Sequence, residues 1–290
     1  MSDTVRAVLL LECYVTVTLL APLLLGRLPL VAQRPVAMLA AWHGFLVTAV
    51  LSLGSGLGLL IHQGMAMQAG TAPAQDAGTA PLAAIPLAYV AAGVLGVLLF
   101  RIVEEGGRVV REARQRAGEV ATLLLASRPY RVAGRDARLV ESDVPLAALS
   151  PATGLILLTT EARARLDDDE LTAVLEHETA HLEQRHALAV RIAQVSRAIL
   201  PALPASQRLA LSTTIAIEFI ADDHAARATG PDTVASALRK LDPDGGLSAL
   251  RADRMRHPRG GHRVALRLLC AVACALPVLP LVIVLLPPPA

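Results

Sequence analysis

Aromatic side chains are almost missing from this chain: Phe, Tyr and Trp together make up 2% of its residues. Soluble cores lean on large rings. Their scarcity, beside 54% hydrophobic residues and a mean hydropathy of +0.52, excludes an ordinary soluble domain and points to a chain that spends much of its 290 residues in lipid. Lysine is scarcer still, Lys240 being the only one. The net charge is +2 and the basic residues are nearly all Arg, so no nucleic-acid footprint is drawn. There are three cysteines, Cys13, Cys270 and Cys274, all in apolar stretches near the two ends. That placement excludes a zinc knuckle and a disulfide framework. They read as small packing residues, although Cys270 and Cys274, one helical turn apart, have a spacing that a soft metal could also use.

What is present is long apolar runs. Four stretches suffice to cross a bilayer, which needs about 20 helical residues: 5–26, 36–61, 80–103 and 264–286. The first lacks the small-residue cleavage pattern of a signal peptide and is read as a retained span. Arg27 and Arg34 lie in the first connection, the second connection (QGMAMQAGTAPAQDAGTAP) has no basic residue, and Arg101, Arg108, Arg111, Arg114 and Arg116 follow the third span. Basic residues near span ends stay on the cytoplasmic side. The expected organisation is three transmembrane helices in 1–103, a cytoplasmic domain in 104–263, and a fourth helix with a short tail in 264–290. Both termini then lie outside a cell membrane, and Arg in place of Lys suggests a bacterium of high genomic GC content. Glu12 and His43, costly in hydrocarbon, are expected to pair with each other or to serve sensing or substrate entry.

The interior segment predicts a mainly α domain with a small sheet or hairpin. A helix should continue the third span and break near Gly106 and Gly107. Short apolar runs at 138–140 and 154–160, with Pro145 and Pro151 between them, suit strands. LDDDELTAVLEHETAHLEQRHALAVRIAQVSRAIL predicts one long helix opened by Asp167, Asp168 and Asp169 and ended by Pro201 and Pro204. Further helices are expected over 207–229 and 232–241.

Within the long helix stands HETAH, residues 177–181. Two imidazoles four residues apart share one helix face and can reach a single zinc ion, while Glu178 points to the water on that ion as general base. A third ligand is needed. Glu218, in EFIAD on the next predicted helix, completes a His, His, Glu set that leaves a fourth position for water, the pattern of a hydrolytic site. Asp222, one turn on, is placed to accept a hydrogen bond from His177 and fix its tautomer. Before the last span comes HPRGGHR, residues 257–263, in which His257 and Arg263 could donate to an oxyanion or simply anchor the span.

HETAH, EFIAD and HP with a following arginine together resemble the HtpX-type membrane peptidases and the peptidase domain of the BlaR/MecR penicillin-sensor family, over roughly residues 125–265. The resemblance implies a zinc-dependent gluzincin endopeptidase with one Zn2+ held by His177, His181 and Glu218, Glu178 as base and Asp222 behind the ligands. It also implies His257 and Arg263 as contacts to the carbonyl of a protein or peptide substrate. GLILLTT looks like the edge strand that receives an extended substrate. His186 matches a histidine often found after the motif; five residues past His181, it is expected to point away from the metal. His224 and His262 have no assigned task. Where HtpX-type enzymes carry an asparagine before the edge strand, this chain has Leu146, Ala147 and Ala148. It also ends just after its fourth span, so a complete β-lactam receptor is not expected. Two other readings remain: a latent peptidase that cleaves a transcriptional repressor on stimulus, and a non-catalytic zinc-stabilised scaffold.

Overall fold

The computed structural model describes residues 2–26, 28–71, 81–132, 134–149, 155–257 and 263–286. Helix α1 (Asp3–Leu25) is capped by Ser2 and ends at Gly26, and the short α2 (Leu28–Gln33) leads into α3 (Pro35–Gln68), whose first position is a proline. Pro at that position loses no hydrogen bond, because the first N–H groups of a helix have no internal partner. Helix α4 (Pro81–Leu125) is the third span and its extension in one piece. Among the described residues, four helices are long and apolar enough to cross a membrane, the fourth lying within Arg267–Leu285.

The expected break at Gly106 and Gly107 does not occur. Two glycines cost a helix roughly 2 kcal/mol relative to alanine. Here Glu105 is clamped by Arg101 at 3.2 Å and Arg108 at 2.6 Å, and Val109 is buried, so neighbours on both sides hold the turn helical. The fourth span differs too: α11 (Arg263–Ala275) and α12 (Val278–Leu285) are separated by a turn at Leu276 and Pro277. Proline cannot supply the helical N–H, and the helix resumes directly after it, at Val278.

Between α4 and α11 lies a four-stranded sheet in the order β1-β2-β4-β3, with β1 Arg128–Val132, β2 Arg135–Val140, β3 Ala147–Leu149 and β4 Ile156–Thr159. β1 and β2 form a hairpin whose turn uses Gly134 at positive φ, β2 and β4 run parallel, and β3 is antiparallel to β4. The strand within GLILLTT, β4, is therefore interior. All four residues of β4 are buried, and the edges are β1 and, beside β4, β3. A continuous apolar run fits a strand with neighbours on both sides better than it fits an edge.

Helix α5 (Thr160–Arg165) follows the sheet, then α6 (Asp168–Glu183), α7 (His186–Ile199), α8 (Pro204–Thr229), α9 (Pro231–Leu241) and α10 (Gly246–Arg256). The single long helix expected over 166–200 is really α6 and α7. Arg185 sits in the left-handed region at φ 52°, and the chain turns there. Sheet and α6 share a core of Leu139, Leu158, Leu171 and Leu175.

α7 and α8 join this body to the spans: Ala193 and Leu209 pack in one core with Leu25, Trp42 and Phe45. Arg208 donates to the Gly26 carbonyl and Arg254 to that of Ala32, so the first connection lies against the body formed by the sheet and α6 to α10. At the opposite end Arg6 donates to the carbonyl of Leu286, which brings the two ends of the described chain together. Glu12 and His43 do not pair. His43 bonds the Leu39 carbonyl of its own helix at 2.8 Å, while Glu12 is exposed on the outer surface of α1. Cys270 donates to the Ala37 carbonyl and, like Cys13 and Cys274, is a free thiol.

Candidate metal centre and active site

Helix α6 is started by a reciprocal capping box. The Asp167 carboxylate accepts from the Glu170 N–H at 2.8 Å and the Glu170 carboxylate from the Asp167 N–H at 2.9 Å. Glu170 is also held by Ser236 and Lys240 of α9, which ties the helix start to the body. Two turns later the helix presents His177 and His181 on one face, their Nε2 atoms 3.1 Å apart. From α8, Glu218 brings Oε2 to 3.5 Å from His177 Nε2 and Oε1 to 3.7 Å from His181 Nε2. Two ligands each about 2.1 Å from a tetrahedral zinc lie about 3.4 Å apart. The two imidazoles are nearest different oxygens of the Glu218 carboxylate; with one donor atom taken from each residue, the three lie within 4.8 Å of one another, close enough to hold one ion.

Asp222, fully buried, stands 3.1 Å from His177 Nδ1. With Nδ1–H donating to this carboxylate, Nε2 is left with its lone pair toward the ligand cluster. Burial opposes a charged His177, but the hydrogen bonds to Asp222 and Glu218 outweigh it and lift its pKa to about 9. For His181 burial dominates, reinforced by the charge on His177, and its pKa falls. Glu218 and Asp222 are also pushed up by burial, yet His177 and a nearby guanidinium more than reverse this, leaving both carboxyls below their ordinary range.

That guanidinium is Arg251 of α10, a residue and a helix absent from the sequence reading. It grips Asp222 with two bonds and reaches Glu218 Oε2 at 2.9 Å, with only 11% of its side chain exposed. The rule that a buried carboxylate needs a cation was available from sequence. Which arginine answers it was not, because GLSALRADRMR, after Pro243 and Gly245, carries no clear amphipathic signal.

His186 corrects an expectation. Continued helix would turn it away from His181, but the left-handed Arg185 swings it back. The buried ring sets its Nδ1 2.9 Å from His181 Nδ1, so it braces that imidazole from behind. His224 pairs with Glu176 at 3.4 Å.

A cleft of about 430 Å³ opens over the cluster. Its walls include Glu178 beside His177 and His181 on one side, Arg251, Glu218 and Asp222 on another, and Pro145, Leu146 and Ala147 at the entrance to the edge strand β3. The structure thus brings together His177, Glu178, His181, Glu218 and Asp222. It does not bring His257 to them: that imidazole is 73% exposed and bonded to Asp253 at 3.1 Å. Arg263 opens α11, and its side chain and all of His262 lie outside the described residues.

Residues 138–221 match the family model described as Peptidase family M48. The matched span runs from β2 to α8 and contains both imidazoles and Glu218. No curated protein and no solved structure matches the chain.

Proposed function

On the premise that residues 138–221 are an M48-type metallopeptidase segment in a membrane protein, we propose that the chain is a zinc-dependent endopeptidase acting on membrane or membrane-proximal protein substrates. The observation that carries this reading is the convergence of His177, His181 and Glu218 at separations that suit one ion, in a cleft whose wall includes Glu178.

Bound zinc would supply a Lewis acid that lowers the pKa of water to about 7 and polarises the scissile carbonyl. Glu178 takes the proton from the attacking water and hands it to the departing amine. Asp222 fixes the donor tautomer of His177, and Arg251 neutralises Asp222 while steadying Glu218, so that the ligand carboxylate keeps one orientation. Substrate backbone pairs with β3, where Pro145 to Ala147 lead from the strand into the cleft. His257 and Arg263 enter the proposal, on the resemblance of the motif, as donors to the carbonyl oxygen. The body that carries the cleft faces the cytoplasm, as the basic residues Arg27, Arg34 and Arg108 to Arg116 support, and both ends of the chain face outward.

The decisive experiment is Glu178→Gln. It should keep one zinc per chain and lose nearly all hydrolysis of an unfolded membrane substrate in proteoliposomes. Full hydrolysis by this variant would remove Glu178 as base, and absence of zinc from the wild-type protein would remove the metal centre itself.

A further inference from the structure

We propose that the tip joining α7 to α8, residues 199–205, is sunk in the acyl region of the bilayer as a hairpin that enters and returns on the same side. The inference rests on four observations and does not depend on the peptidase reading.

The first is height. Phe219 of α8 packs on Val31 and Ala32 in the connection between the first two spans. Further back along the helix, Arg208 meets Gly26 at the end of α1, and Leu209 packs with Leu25, Trp42 and Phe45. From Leu209 to Pro204 the helix descends a further five residues, roughly 8 Å at 1.5 Å per residue. The α7 strut agrees, since Arg101, at the end of the apolar part of α4, donates to the carbonyl of Ala198 at 3.0 Å. The tip therefore lies beside the spans and below their ends.

The second observation is chemical. Ile199, Leu200, Pro201, Ala202, Leu203, Pro204 and Ala205 form seven residues without a polar side chain, and Pro201, Ala202 and Pro204 are exposed.

The third is the backbone. The single Ser206 hydroxyl lies between the carbonyls of Leu200, at 2.5 Å, and Leu203, at 2.8 Å, which share its one hydrogen, and Gln207 Nε2 donates to that of Pro201 at 2.6 Å. Pro201 and Pro204 carry no N–H. A turn in water has little need of such capping, because solvent bonds its carbonyls. Hydrocarbon cannot, and irregular backbone survives there only when it is satisfied internally.

The fourth is the neck. Arg197 and Arg208 flank the tip, both exposed and both long enough to carry their charge up to the headgroups. α7 has 14 residues and includes Arg191 and Arg197, too short and too charged to cross.

One hairpin thus anchors in lipid α8, which carries Glu218 and Asp222, and α7, whose first residue His186 rests against His181 of α6. From Pro204 to Glu218 is about 14 residues, so the cleft stands roughly 20 Å above the tip, where segments leaving the bilayer pass.

The test uses the full chain in proteoliposomes. With Cys13, Cys270 and Cys274 changed to Ala, a nitroxide is attached at Ala202→Cys, at Val282→Cys in the fourth span, and at Ala117→Cys on the extension of α4. The label at 202 should meet oxygen in preference to a water-soluble nickel chelate, as at 282, with the order reversed at 117. Nickel access at 202 matching that at 117 would overturn the proposal, as would shielding from both reagents, which would bury the tip against protein. In the chain with its native cysteines, Ala202→Trp should be quenched by acyl-brominated lipid well beyond the quenching of Trp42 in the wild type. Equal quenching would also overturn it.

Discussion

The guanidinium of Arg251 holds both carboxylate oxygens of Asp222, at 2.7 and 2.9 Å, and through them the Nδ1 side of His177. A fully buried aspartate is thereby made compatible with the ionised state that its hydrogen bond to the imidazole requires. Removing the cation leaves this buried carboxylate with His177 as its remaining partner, a loss of up to about 3–5 kcal/mol. Arg251→Met should therefore lower the thermal midpoint and weaken zinc binding about 10–100-fold. Arg251→Lys should recover part of the stability but less of the affinity, because an ammonium cannot make the paired bonds. Calorimetry and zinc titration check this, and unchanged values for Arg251→Met would count against it.

Zinc affinity should depend steeply on pH. His177 is protonated in the metal-free protein until about pH 9, whereas His181 is already neutral. Binding must expel the proton on His177, so apparent affinity should climb about tenfold per pH unit up to that value and then level off. Asp222→Asn removes the partner that raises this pKa, so its curve should level off at a lower pH. Competition with a chromophoric chelator across the range reads both curves.

Bracing of His181 by His186 predicts a loss confined to the metal. His186→Ala should reduce zinc affinity about 10–100-fold, the usual effect of removing a partner behind a ligand. Catalysis at saturating zinc should be nearly retained. If affinity stays at the wild-type level, the 2.9 Å contact is only packing.

Glu170 carries an acid sensitivity of its own. Burial raises its pKa, but Lys240 and Ser236 reverse the balance and leave it below the ordinary 4.5. A carboxyl with a depressed folded-state pKa adds stability above its unfolded pKa, and that stability is lost as pH falls from about 4.5 through the lower, folded value. Glu170→Gln should be less stable at neutral pH and lose less on acidification, with the gap narrowing below pH 4.5. Denaturant unfolding followed at several pH values measures this.

His257 offers a direct trial of the expected carbonyl contact. His257→Ala should keep zinc and stability, since the ring is exposed, while turnover falls about 100-fold or more if it donates to the oxyanion. Wild-type turnover would leave His257 as part of the anchor before the last span.

The linear chain was sufficient for whatever depends on local spacing. Four apolar runs are spans because about 20 residues cross a bilayer. His177 and His181 share a face because helices repeat every 3.6 residues, and Glu218 could be named because a third ligand had to come from a neighbouring helix. Tertiary structure decided what depends on sites far apart in sequence. The left-handed turn at Arg185 has no glycine to announce it and goes with the burial of His186 against His181. Likewise α4 stays helical through Gly106 and Gly107, which the Glu105–Arg108 ion pair spans, and β3, not the more apolar β4, is an edge because β2 and β3 flank β4. Arg251 reaches Asp222 from a helix 29 residues onward. Local pattern constrains the backbone within a few turns, whereas the choice of a partner for a buried charge is made by whichever cation the fold delivers to it.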